Sequence, residues 1–513
     1  MISRTTQSLL GAVGVLALAV GIAEVHPPTG QAAVSGTTVR TAVQNTDLVC
    51  PPPLQGSGST AYSLAVPGSS GSGSTTGSAS LTTLAGAAAA AGGATPSTSA
   101  TASASTTASA PASPVAQPTV ASQTSLGGST TAKAGAGNNA PALVAAASGV
   151  TAPGFTVQQT TTGSDGSLSG TGCTVPGTDF WFAGADSDKG SNDYIELTNT
   201  EGTASDADIH IFNVSGEVED AQASNLNIPA YGTLSLSLAS LLSAFNSNTS
   251  LVVHVVVHSG RIAAALHADG NTGSDWIPAT TLGTTQYLPG LPGDLSDATL
   301  VVADPGATDA DLDVQLASQN GWITPAGHET VQVKAGTVTS VDLGAITHGQ
   351  PATMRLSPAP GTGQAAQAVV AGIQVVRGSG SATDTGYLAG TGSIGQRATA
   401  AGNSAADSTL LLTAGSTAAT VKVTSIGGSG STPVVQNVTI PAGATVSVSP
   451  KAPSGGGTFA VTVEPASGGS VYAARMISRK SGSSLGFTIQ QLSDDHSTVQ
   501  IPHVIQDGSV LLP

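Results

Sequence analysis

Three stretches in the second half of this chain spell nearly the same thing. YIELTNTEGTASDADIHIFNVSG (Tyr194–Gly216), TLVVADPGATDADLDVQLASQNG (Thr299–Gly321) and TLLLTAGSTAATVKVTSIGG (Thr409–Gly428) each run an apolar strand, a small polar turn and an alternating strand into glycine. A corner follows each: NLNIPAYGTLSLSLASL (Asn225–Leu241), TVQVKAGTVTSVDLGAI (Thr330–Ile346) and NVTIPAGATVSVSPKAP (Asn437–Pro453). The corner alanines are Ala230, Ala335 and Ala442. A tandem period of about 105 residues is too long for a solenoid unit and suits a whole small domain.

Every copy reads as strand. Ile209 and Ile211, Leu312, Val314 and Leu316, and Val421 and Val423 follow a period of two, which sends one face to a core and the other to water. Pro229 and Pro441 cannot donate to a ladder, and Gly232, Gly336 and Gly443 allow the chain to turn. Leu238–Phe245 is the one stretch inside a repeat that reads as a short helix. About seven short antiparallel strands per copy fit an immunoglobulin-like β-sandwich. The expected fold is all-β, with three tandem sandwiches over residues 174–283, 284–390 and 391–513. The alternative is a single β-propeller cut into shorter blades. The tail from Ser497 is expected to supply the last strand of the third copy.

Arg4 and the apolar run Leu9–Ala23, followed by small residues at Gly30-Gln31-Ala32, read as a signal peptide or signal anchor over residues 1–33. Fifteen apolar residues are few for a full span. The expected location is therefore outside the cytoplasmic membrane, extracellular or in the cell envelope, with membrane contact only through this segment. The formal net charge is -16, with 14 Lys and Arg against 30 Asp and Glu, and no basic run. That balance argues against nucleic acid as a partner.

Two cysteines, Cys50 and Cys173, stand alone in the chain. An isolated pair in an exported protein reads as a disulfide, the alternative being two free thiols; neither has a His or Cys neighbour at metal spacing. Residues 34–66 have the alternation and the aromatic Tyr62 of ordered strands. Residues 67–150 are almost entirely Gly, Ser, Thr, Ala and Pro, with Lys133 the one charge and no aromatic. Such a composition buries little apolar surface, so the segment is expected to be a disordered tether.

The order of several pieces carries a resemblance. An export signal, the step Cys50-Pro51, a Cys shortly before an aromatic stretch (Cys173, then Asp179, Trp181 and Phe182), YLPGLPG at Tyr287–Gly293, DADLDVQL at Asp309–Leu316 and SGGSVYAARM at Ser467–Met476 occur in that sequence. Together they resemble an uncharacterised family of exported actinobacterial proteins, a domain of unknown function with three strand repeats. The resemblance implies a secreted or envelope location and brings no activity, cofactor or catalytic residue.

The residues offer few sites for chemistry. Ser484 lies in G-x-S-x-G with Gly482 and Gly486, but a strand-like stretch follows where a nucleophile elbow needs a helix. Gly390, Gly392 and Gly395 match G-x-G-x-x-G without a following helix or acidic partner. Asp186, Asp188, Asn192 and Asp193 form an oxygen-rich loop, a weak Ca²⁺ candidate that lacks the closing bidentate acid; the bland reading is a polar turn. His254 and His258 share a strand face but stand about 13 Å apart, too far to chelate one ion together. His210 and His267 would complete a cluster if they fell on neighbouring strands. Trp181, Trp276 and Trp322 could stack on sugars if exposed, or fill cores. No cofactor is expected. The leading functional expectation is a non-enzymatic envelope or secreted scaffold facing an unidentified envelope protein or the wall. A carbohydrate-binding protein is the second reading, and a hydrolase the last.

Overall fold

In the computed structural model, the described residues are 39–54, 58–68, 76–84, 117–133, 140–186, 191–218, 223–242, 250–361, 365–380, 382–482 and 484–501. The alternation becomes burial directly. Along Ser205–Asn213, Ala207, Ile209 and Ile211 are buried, while Asp206 is exposed and Asp208 and His210 are half-buried. The same holds along Ala310–Ser318 and Ala419–Ile426. The expected short helix is a single turn, Leu238–Leu241.

The strands pair into eight sheets that share cores two by two, besides a small two-stranded sheet. The chain crosses repeatedly between the two sheets of a pair, and each core draws its residues from both, so the units are sandwiches and not propeller blades. In the unit over 179–280, a leading sheet runs Gly216–Val218, Ser205–Asn213, Ser250–Ser259, Asp179–Asp186, Ala279–Thr280. Its trailing sheet runs Thr233–Ser237, Tyr194–Asn199, Ile262–Gly270, Gly273–Ile277. The next unit spans Gln286 to Ala389 and the following one Ala398 to Leu492, each with the same pair of sheets and crossings between them.

Two sequence expectations need correction. There are four such sandwiches, not three. The additional one, first in the chain, has a leading sheet Asn45–Cys50, Leu143–Gly149, Gly77–Thr83, Thr119–Gln123 and a trailing sheet Gly128–Lys133, Ser59–Val66, Thr156–Thr162, Leu168–Gly172. Four of these eight strands lie inside residues 67–150, which were expected to be a tether. Small residues suffice there because Ala79, Leu81, Ala145 and Ala147 close onto Tyr62, Leu64, Phe155 and Val157; the larger side chains are supplied from outside the segment. Residues 69–75, 85–116 and 134–139 of the same stretch lie outside the described residues, as does the whole 1–33 segment. The second correction concerns the tail. The last strand of the fourth sandwich is Ser484–Leu492, and Thr498–Ile501 instead pairs with Val39–Ala42 as a separate two-stranded sheet.

Within residues 42–497, one compact unit, the leading sheet of each sandwich packs on the trailing sheet of the next. Trp181, Ala183, Phe212 and Val252 of the second sandwich meet Val301, Ala303, Val338 and Val370 of the third. Between third and fourth, the buried hydroxyls of Thr353, Thr413 and Thr445 form a chain that ends on the Ala317 carbonyl. Between fourth and first, Ala401, Ile426 and Ala460 close onto Ala65. Between first and second, Val49 and Pro51 face Glu196, Thr198, Ala263 and Ala265 across a small crevice. Four sandwiches therefore close a ring.

Candidate functional site

The ring places four inner strands at its centre: Leu168–Gly172, Gly273–Ile277, Ala382–Ala389 and Ser484–Leu492. Each is the second arm of a hairpin. In the last three sandwiches the closing pairs are Gly270 with Gly273, Ser379 with Ala382, and Ser481 with Ser484. Two residues past the closing pair stand Asp275, Asp384 and Gly486.

The two aspartates stitch neighbours together. Asp275 accepts the Gly170 N–H of the first sandwich at 2.7 Å and the adjacent Trp276 N–H at 2.8 Å. Asp384 accepts Leu168 N–H from the first sandwich at 3.3 Å, Phe487 N–H from the fourth at 2.8 Å and its own Thr385 N–H at 2.9 Å. Ser169 donates to the Ser274 carbonyl, and the Thr272 and Thr385 hydroxyls pair. Neither aspartate has a cationic partner among these contacts. Burial pushes the Asp384 carboxyl up to about 7 and the Asp275 carboxyl well above its ordinary value, against the pull of the amide N–H groups. Gly170 and Gly486 leave the room this needs. A Cβ on Gly170 would stand 2.8 Å from the Gln490 amide nitrogen, and one on Gly486 only 2.2 Å from the Gly166 carbonyl.

Beside this hub lies a buried cation. Arg475 is 1% exposed and bonds the Ala401 carbonyl and the Gln490 side chain, which also takes an N–H from Gln158 of the first sandwich. Burial lowers the guanidinium to about 9. Arg397 closes the ring more conventionally. It pairs with Asp495 at 2.6 Å and donates to the Gly68 and Pro153 carbonyls of the first sandwich.

A family model described as a family of unknown function, DUF5719, matches residues 130–451. The chain belongs to that family. No curated protein matches it. The DUF5719 match contains both hub aspartates and Gly170, whereas Phe487 and Gly486 of the fourth inner strand fall beyond it.

The sequence-derived candidates of this DUF5719 chain fare differently. Cys50 and Cys173 form a disulfide, with Cα atoms 4.3 Å apart. It ties the leading sheet of the first sandwich to the end of its inner strand, next to the Val49–Thr174 bridge. In the loop offered for Ca²⁺, both carboxylate oxygens of Asp193 accept backbone N–H groups, from Asp186 at 3.0 Å and Asp269 at 3.1 Å. Asp193 is buried and its carboxyl is pushed up to about 7 by that burial, so it acts as a loop staple. Asn192 joins the Asp269 carbonyl through its N–H, and Asp188 lies outside the described residues.

The histidines are rearranged relative to expectation. His210 lies opposite His254 on the leading sheet of the second sandwich, while His267 sits on the trailing sheet, buried edge-on against Trp276. Each of the three leading-sheet histidines has a carboxylate: His210 Nδ1 with Glu217 at 2.5 Å, His254 Nε2 with Asp179 at 3.2 Å, His258 Nε2 with Asp208 at 2.8 Å. Trp181 and Trp276 are buried. Trp322 lies under the Arg355 guanidinium at 4.6 Å, next to the stacked Tyr287 and Tyr472. Ser484 opens the strand Ser484–Leu492 where a nucleophile elbow needs a helix, and Gly390–Gly395 precede another strand.

Sequence reading missed Asp275, Asp384, Arg397 and Arg475. A signal existed for the aspartates: each stands two residues past the closing pair of its hairpin, in GSD and ATD.

Proposed function

We propose that this DUF5719 chain is a non-enzymatic platform exported to the cell envelope or beyond, which presents rigid surfaces to another envelope protein. The observation that carries the reading is the hub. Asp275 and Asp384 are spent on backbone amides of neighbouring sandwiches, and Arg397 on carbonyls across the closing joint. Groups arranged in this way hold a shape. The Cys50–Cys173 disulfide and the apolar run Leu9–Ala23 support export, because disulfides persist in oxidising compartments. An actinobacterial envelope is the setting suggested by the resemblance of the sequence pieces.

The test is photo-crosslinking in intact cells from the exposed positions Val435 and His258, combined with labelling by a membrane-impermeant amine reagent. The platform reading expects labelling before lysis and one discrete crosslinked protein. Protection until lysis would overturn the location. Retention on purified wall glycan that is lost with Trp322→Ala would replace the platform with a carbohydrate-binding protein.

A further inference from the structure

We propose that His210 and His254 together bind a divalent transition-metal ion of the Zn²⁺ and Cu²⁺ class on the leading-sheet face of the second sandwich, beside the Trp181 and Phe212 that pack on the third. The two residues are directly opposed on antiparallel strands, Ser205–Asn213 and Ser250–Ser259. Facing residues on such strands hold their Cβ atoms about 5 Å apart. The imidazole ring centres are 5.7 Å apart with planes inclined by 32°. Two imidazoles sharing one tetrahedral ion, at nitrogen–metal distances of about 2.0–2.1 Å, place their ring centres roughly 5 Å apart. The observed separation is close to that value, and His210 is the more exposed of the two.

The carboxylates complete the argument. Glu217 engages His210 at Nδ1 and Asp179 engages His254 at Nε2. In each ring the other nitrogen, His210 Nε2 and His254 Nδ1, has no partner among the described residues. A carboxylate that holds the proton on one ring nitrogen fixes the tautomer and leaves the lone pair on the other, the arrangement that outer-shell acids give metal-binding histidines. Trp181 lies flat against His254, with ring centres 3.7 Å apart and planes within 9°, and so limits its motion. Imidazole ligands favour Cu²⁺ and Zn²⁺ over Mg²⁺ and Ca²⁺. No group of three or more His, Cys, Asp or Glu that could hold a metal occurs among the described residues, so solvent fills the remaining positions and binding is weaker than at a closed four-ligand site. His258, with Asp208, lies on the same face but about 13 Å from His254, outside the site. The proposal is independent of the platform reading.

The experiment is titration of the full disulfide-bonded chain with Cu²⁺, and with Zn²⁺ as competitor, in a non-chelating buffer. The readout is tryptophan fluorescence together with calorimetry. Because His254 stacks on Trp181, Cu²⁺ at the pair is expected to quench fluorescence at one equivalent, and Zn²⁺ to reverse the quenching. His210→Gln and His254→Gln are expected to weaken binding by about tenfold or more, and His258→Gln to leave it unchanged. Trp181→Phe should remove most of the quenching while calorimetry still counts one ion. His210 is 37% exposed, so His210→Gln tests the site without disturbing the core. Binding by His210→Gln equal to the parent chain, equal loss with His258→Gln, or no saturable binding would each overturn the proposal.

Discussion

Asp384 concentrates much of the ring in one side chain. Its carboxyl takes amide protons from the first and fourth sandwiches as well as from its own strand. Asp384→Ala therefore strands two buried N–H groups from neighbouring sandwiches, at about 1–3 kcal/mol each. Urea unfolding is expected to lose roughly 2–5 kcal/mol. Asp384→Asn keeps an acceptor of the same shape and is expected to cost well under half of that in the same measurement; equal losses for the two variants would mean that the acceptor is not what matters. The sequence showed Asp384 only as one more polar residue after a turn. Its importance comes from residues 216 positions before it and 103 after it, and no local pattern encodes such partners.

Among the elements, the first sandwich is the instructive one. Gly77–Thr83 and Leu143–Gly149 are built from Gly, Ala, Ser, Thr, Leu and Val, a composition that resembles a tether. They are strands because Leu81, Ala79, Ala145 and Ala147 find Tyr62, Leu64 and Phe155 supplied from elsewhere in the chain. A window-by-window reading cannot see that help. The disulfide holds this sandwich across a sequence separation of 123 residues. Closing so long a loop restricts the unfolded chain by about 4–5 kcal/mol in the chain-entropy treatment. The paired substitution Cys50→Ala with Cys173→Ala should lower unfolding free energy by up to that amount, read from denaturant midpoints. A change below about 1 kcal/mol would show that the unfolded chain gains little from the release. The three later copies were legible at the level of strands, since their period-two pattern survives into burial.

The whole body of residues 42–497 is expected to unfold as one, because hub hydrogen bonds are shared among sandwiches rather than owned by any. A chain beginning at Thr174 tests this. It lacks Gly170 and Leu168, the amide partners of Asp275 and Asp384, and also Ala65, which covers Ala401, Ile426 and Ala460. It should remain β-rich by circular dichroism yet melt well below the full chain; an unchanged melting temperature would mean that the sandwiches stand alone. The hub also sets a pH dependence. The Asp384 carboxyl moves from an ordinary 3.8 to about 7 on folding, and Asp275 moves in the same direction. With the folded value raised, stability is fully present below about pH 4 and is lost as pH rises through about 7. Between pH 5 and pH 8, Asp384 alone accounts for about 3 kcal/mol at most. The urea midpoint should thus be higher at pH 5 than at pH 8, and Asp384→Asn should flatten the difference. A midpoint that rises with pH would contradict the buried-acid account.

Whatever depends on neighbours along the chain was legible in the amino-acid order. Period-two alternation made strands, Pro and Gly made corners, and a repeat of domain length made sandwiches out of them. The isolated cysteine pair was also readable, because neither thiol has a His or Cys neighbour at metal spacing. Packing of distant segments settled that there are four sandwiches, that they close a ring, and that Asp275 and Asp384 stand at its centre. It also decided that His210 faces His254 and not His267. The physical reason is the same in each case: burial and hydrogen-bond satisfaction are properties of the packed chain, and the groups that supply them lie far away in sequence.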